Sequence, residues 1–77
     1  MTDTEAIKLI VHELARAREK FPEWPEDRIH AAAIVAEEAG ELVAASLQQH
    51  YEFGDIAQCR REAVQTGAMA VRYLVGR

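Results

Sequence analysis

The chemistry in this chain is concentrated in Glu37-Glu38-Ala39-Gly40-Glu41. On a helix turning about 100° per residue, Glu37 and Glu41 lie one turn apart on a single face. Glu38 and Glu41 form an i, i+3 pair that also meets at the surface. Three carboxylates therefore converge on one side of one helix, and like charges at this spacing cost about 0.2–0.5 kcal/mol per pair. No Lys or Arg lies between Arg28 and Arg60 to offset that repulsion. A divalent cation would remove it. Magnesium takes carboxylate oxygens while keeping waters and accepting substrate phosphates as further ligands. A second set follows about one helix later, where Glu62 and Gln65 form an i, i+3 pair and Met69 continues the line. If the two helices pack antiparallel, Glu62 faces the first cluster, and facing helices of a bundle are a known place for metal sites. Arg61 and Arg72 lie toward the Gln65 side, where guanidinium groups can hold phosphate oxygens.

Three helices must position these groups. The first has a start signal at Thr2, with Glu5 three residues on as a capping box. Its apolar residues recur at Ile7, Ile10, Val11, Leu14, Ala17 and Phe21, the spacing of one helix face. Phe21-Pro22-Glu23-Trp24-Pro25 ends it, because neither proline can continue a helix. Pro25 is suited to the first position of the second helix, with Glu26 and Asp27 near the positive end of its dipole. That helix is expected to run to about Gln49 and to pack through Ile29, Ala33, Ala36, Gly40, Val43 and Leu47, a face small enough for close approach by a neighbour. Tyr51-Glu52-Phe53-Gly54 is the second turn, and Asp55 with Gln58 resembles another capping box. The third helix shows Ile56, Cys59, Ala63, Gly67, Ala70 and Leu74 on one face.

Size and composition bound what such a chain can be. Its 77 residues allow one domain, spanning 1–77, and exclude a two-domain enzyme. Fourteen of the apolar residues are alanine, which thins the core, and the single cysteine, Cys59, rules out an intrachain disulfide. Domains this small usually need a disulfide, a metal or a partner chain. The expected fold is all-α, a three-helix chain that completes a four-helix-type bundle by oligomerisation, with a second copy as the nearest source of further helices. The longest apolar run, Ala31 to Ala36, is far below the ~20 residues that span a bilayer. Residues 1–20 lack the basic-then-apolar order of a signal peptide. A cytoplasmic location without membrane association is therefore expected. The net charge is −4, and no basic stripe suits the chain to nucleic acid. The charge is uneven, however. Residues 29–59 hold five acids and no Lys or Arg, whereas residues 60–77 hold four Arg against one Glu. An acidic middle folded against a basic end can hold cations and a phosphate ester side by side.

Glu37-Glu38-Ala39-Gly40-Glu41-Leu42, followed by Glu62-Ala63-Val64-Gln65-Thr66-Gly67-Ala68-Met69-Ala70-Val71-Arg72, resembles the MazG-like all-alpha nucleotide pyrophosphohydrolases over roughly residues 30–74. That family carries Glu-Glu-x-x-Glu on one helix and Glu-x-x-Asp on the next, and its acids bind magnesium. The resemblance implies Glu37, Glu38, Glu41 and Glu62 as Mg2+ ligands. Gln65 stands where the family has Asp, an amide oxygen that can ligate but brings no charge. The implied reaction is magnesium-dependent hydrolysis of a nucleoside triphosphate to the monophosphate and pyrophosphate, by an assembly that is a homodimer or homotetramer. Glu38 is the first choice for positioning the attacking water, with Arg61 and Arg72 as substrate-binding residues. Trp24, between two prolines, reads first as cover for a bundle end or a subunit contact and second as a substrate-binding residue stacking on a nucleobase.

Several residues support plainer readings. Acid runs on helices usually form solvated faces, so a non-catalytic helical module for oligomerisation, or for binding a partner or nucleotide, is the alternative. His30 shares a face with Glu37 and Glu41, but no His-Glu-x-x-His or Cys/His spacing supports zinc. Cys59 has no catalytic companion and reads as an inert packed thiol. Tyr51, Phe53 and Tyr73 read as packing around the turns and the last helix.

Overall fold

The computed structural model describes residues 1–77 and contains three helices, α1 (Asp3–Lys20), α2 (Arg28–Tyr51) and α3 (Ile56–Val75), with no strand. The start of α1 forms as its sequence dictates. The Thr2 hydroxyl accepts from the Glu5 amide, and the Glu5 carboxylate accepts in return from the Thr2 amide, both at 3.2 Å. The proline-rich segment after Phe21 stays non-helical for longer than expected. Asp27, not Pro25, begins α2, because its side chain accepts from the Ile29 amide at 2.8 Å and satisfies an otherwise free donor. Asp55 caps α3 in the same way through the Ala57 amide. The reciprocal half of a capping box is missing there, because the Gln58 side-chain oxygen accepts from Arg61 instead.

The end of α2 is closed by one carbonyl. The amides of Glu52 and Gly54 both donate to the Gln48 oxygen, at 2.8 and 2.9 Å. Phe53 between them takes a left-handed conformation with φ of 57°. A side chain at Gly54 would come within 2.9 Å of the Gln48 backbone, so only glycine allows this closure. Tyr51 and Phe53 do not pack over the turn as expected; they are 72% and 99% exposed.

Helix α3 is the centre of the fold. Both α1 and α2 pack against it, and they do not pack against each other. Gly67 of α3 lies against Ile10 of α1, where an added Cβ would meet the Ile10 side chain at 2.8 Å. Helix α2 does not use the face its small residues suggested. Its inward residues are Ala31, Ile34, Val35, Glu38, Leu42 and Ala45, whereas Ile29, Ala33, Ala36, Gly40, Val43 and Leu47 are exposed. The physical reason is that α2 is apolar on two sides, and only one of them meets α3. The first helix also rotates relative to expectation, with Ala6, Ile10, Glu13, Leu14 and Ala17 turned inward and Ile7, Val11 and Phe21 left exposed.

The buried set is small: Ala17, Ala31, Ala45 and Ala68, together with the polar residues Glu62 and Arg72. No large hydrophobic side chain is fully covered within one chain. No helix is long and apolar enough to cross a membrane.

Candidate functional site

The α2–α3 contact assembles the acids. Carboxylate oxygens of Glu38, Glu41 and Glu62 lie within 4.8 Å of one another. Glu38 and Glu41 come from adjacent turns of α2, and Glu62 comes from α3 opposite them. Glu62 is buried, Glu38 half-buried and Glu41 exposed, so the cluster opens from the packed interface toward solvent.

Its oxygens are unevenly satisfied. Glu62 Oε1 accepts from the Gln58 amide at 2.6 Å, and the Thr66 hydroxyl donates to the Glu62 carbonyl at 2.8 Å. By contrast, Glu62 Oε2 and Glu38 Oε2 are both buried without a hydrogen-bond partner. A buried acceptor left unpaired costs about 1–3 kcal/mol, and more when charged. Two such oxygens in one cluster call for a shared proton or a cation.

The electrostatics point the same way. Burial pushes the Glu38 carboxyl above its ordinary value, and the charges of Glu41, Glu62, Glu37 and Glu13 push it further. Glu41 is raised by loss of solvation, then by the nearby carboxylate charge of Glu62 and by that of Glu37. The site thus disfavours its own negative charge, and nothing within the chain neutralises it. A hard divalent cation suits an all-oxygen donor set of this kind.

Glu38 also lines a groove of about 430 Å³ that runs along α3 between α1 and α2. Gln65, Met69 and Arg72 form part of its wall, Glu13 and Arg16 stand on the α1 side, and Trp24 lies along it. The Arg72 guanidinium sits over the Trp24 ring at 4.7 Å and donates to the Phe21 carbonyl at 2.9 Å, while its Nε is buried and unpaired. Arg72 is only 2% exposed, and loss of solvation lowers its pKa from the ordinary value. It fastens the segment between α1 and α2 onto α3 as well as contributing to the groove.

The residues singled out from the sequence separate into two sets. Glu38, Glu41 and Glu62 come together, and Gln65, Arg72 and Trp24 line the adjoining groove. Glu37 is exposed and outside the three-carboxylate group. Arg61 is also outside the groove. Its guanidinium donates to Gln58 Oε1 at 2.6 and 3.2 Å, and the other end of that amide holds Glu62, so Arg61 reaches the acids only through Gln58. His30 is exposed and is not part of the cluster. Cys59 is half-buried, with its sulfur 3.8 Å from the Asp55 carbonyl.

Sequence reasoning missed the wall contributed by α1. Glu13 and Arg16 form a two-pronged ion pair at 2.7 and 2.8 Å, which holds the Glu13 carboxyl below its ordinary value. Their i, i+3 spacing signals the pair, but nothing in it indicates that this edge of α1 overlooks α2. Compared with protein-family models, with curated proteins and with solved structures, the chain matches none.

Proposed function

We propose that this protein is a magnesium-dependent nucleoside triphosphate pyrophosphohydrolase of the MazG-like kind, active as a homodimer or homotetramer in the cytoplasm. One observation carries the reading. The buried, unpaired oxygens of Glu38 and Glu62 meet Glu41 beside an open groove. Glu38, Glu41 and Glu62 would hold the ion, with Gln65 and the exposed Glu37 as further ligand candidates. When bound, magnesium neutralises phosphate charge and polarises a phosphoryl oxygen.

The chain's own residues supply the rest. Glu38, which faces the groove, accepts the proton of a water that attacks the α-phosphorus. The bond between the α-phosphorus and the bridging oxygen breaks, leaving a nucleoside monophosphate and pyrophosphate. Arg72 and Trp24 contribute a cation and an aromatic surface to the groove that receives the substrate, and Arg61, outside that groove, braces Gln58 against Glu62.

The test is pyrophosphate release from a panel of ribo- and deoxyribonucleoside triphosphates with magnesium. The expected result is turnover of at least one nucleotide and its loss in Glu38→Gln. No turnover of any nucleotide, with magnesium binding unchanged in that variant, overturns the reading. A non-catalytic oligomerisation or binding module is the second reading, favoured by the uncharged Gln65 and the large apolar surface. It predicts thermal stability indifferent to magnesium at saturating concentration.

A further inference from the structure

The outer stripe of α2 has no partner inside the chain. Ile29 is 82% exposed, Val43 58% and Leu47 53%, and Ala33, Ala36 and Gly40 complete the line. None of the six positions is charged or polar. Beside the stripe lies a wholly hydrophobic depression of about 460 Å³, whose lining includes Val35, Ala39, Ala70, Tyr73 and Leu74. Leu74 is itself 82% exposed.

Two further facts say what covers this face. The first is area. A compact monomer of 8.6 kDa exposes about 4,700 Å², whereas this chain exposes 5759 Å². The excess of about 1,000 Å² matches or exceeds the ~800 Å² per partner buried in a standard protein interface. The second is Gly40. Glycine in the middle of a helix weakens it relative to alanine, yet a Cβ added at Gly40 would meet nothing within 4 Å. No contact in the chain requires a glycine there; a closely approaching second helix would.

The spacing identifies the second helix. Positions 29, 33, 36, 40, 43 and 47 are separated by four, three, four, three and four residues, which reads the same in both directions. A two-fold interface places residue i of one chain against j of the other and j against i. An antiparallel pair of this stripe with itself does so throughout. We propose that α2 packs antiparallel against α2 of a second copy, with Ile29 facing the partner subunit's Leu47, Ala33 facing the partner subunit's Val43, and Ala36 facing the partner subunit's Gly40. The alternation of three and four residues is that of helices crossing at a shallow angle. The inference rests only on the oligomeric part of the function proposed above, and not on its metal or nucleotide.

The test combines mass and register in the full chain. Light scattering at high micromolar concentration should give a dimer or a multiple of it. Ile29→Cys and Leu47→Cys, each in a Cys59→Ser background, are then oxidised alone and mixed. The two copies of either position lie about 27 Å apart along the antiparallel pair, so neither variant should crosslink alone. The mixture should form the Ile29→Cys–Leu47→Cys disulfide. Ala33→Cys mixed with Val43→Cys provides the same readout if either end variant fails to fold. A dimer without either mixed crosslink, or one in which Ile29→Cys crosslinks alone, overturns the interface and leaves the oligomeric reading standing. A monomer overturns both.

Discussion

The two sides of α2 are unfinished in opposite ways. Toward α1 and α3 the helix presents Glu38 and Glu41 to Glu62, with charges gathered and two buried oxygens unpaired. On its outer side it presents Ile29, Val43 and Leu47 around Ala36 and Gly40, where nothing is charged and nothing is covered. The first side lacks positive charge; the second lacks apolar contact. A cation cannot complete the second, and a second copy of α2 packed on that outer side brings no positive charge to the first, since the only Lys or Arg of α2, Arg28, stands at its N-terminal end, ten residues from Glu38. One helix therefore implies two ligands of different kinds, and each can be tested without the other.

The sharpest separation comes from Glu38→Gln. On the proposed function it should lower kcat/KM by about 10²–10⁴, the range for losing a general base, and abolish magnesium-dependent stabilisation. The dimer mass should not change. Loss of activity together with loss of the dimer would mean that the two sides are coupled.

Arg72→Ala comes next. It removes a buried stacked guanidinium and its bond to the Phe21 carbonyl. Such losses fall at about 2–4 kcal/mol, and thermal denaturation should show a correspondingly lower midpoint. A change within experimental error would show that the groove side is not fastened through this residue.

A smaller effect should follow from pH. The raised carboxyls of Glu38 and Glu41 bind protons more tightly in the folded chain than in the unfolded one. Their contribution to stability is full below the ordinary carboxylate value of 4.5 and is lost as pH rises through their folded values. Without divalent cation, thermal stability should therefore improve as pH falls from neutrality through those folded values. Glu13 acts in the opposite sense. Its lowered carboxyl contributes stability above 4.5 that is lost as pH falls through its folded value. Melting curves from neutral pH downward should thus pass through a maximum. In Glu38→Gln with Glu41→Gln the rise should disappear and the fall remain.

Gly40→Ala should have the smallest net effect and the most informative sign. Alanine strengthens a helix over glycine by about 0.8–1.0 kcal/mol, and the chain has room for the methyl group. Dilute protein should therefore gain stability while self-association weakens. Gains at both low and high concentration would place Gly40 outside any interface.

Much of the architecture was legible because it is written in local chemistry. The Thr2–Glu5 capping box, the proline break after Phe21 and the Gly54 turn depend on neighbouring residues, and all three form. Which face of α2 meets α3 was not legible. Ile34, Val35 and Leu42 repeat with the same period as Ile29, Val43 and Leu47, and periodicity alone does not choose between two apolar stripes. Site membership divided similarly. Glu38, Glu41 and Glu62 could be grouped by spacing and an antiparallel turn. Separating Glu37 from Glu38 required the rotation of α2 about its axis. The Glu13–Arg16 wall required knowledge of where α1 lies across α3.

The stacking of Arg72 on Trp24 also makes the molecule optically convenient. Trp24 is the only tryptophan, its ring faces a guanidinium at 4.7 Å, and it borders the groove beside Glu38. Its emission is therefore a single-site probe of that groove. Displacement of the guanidinium by an incoming anion should alter its wavelength or intensity, and release of the proline segment should do so on unfolding. Titration of inorganic phosphate or a nucleotide can consequently be followed in the native chain without a label, on the same residue that reports whether the segment between α1 and α2 is in place.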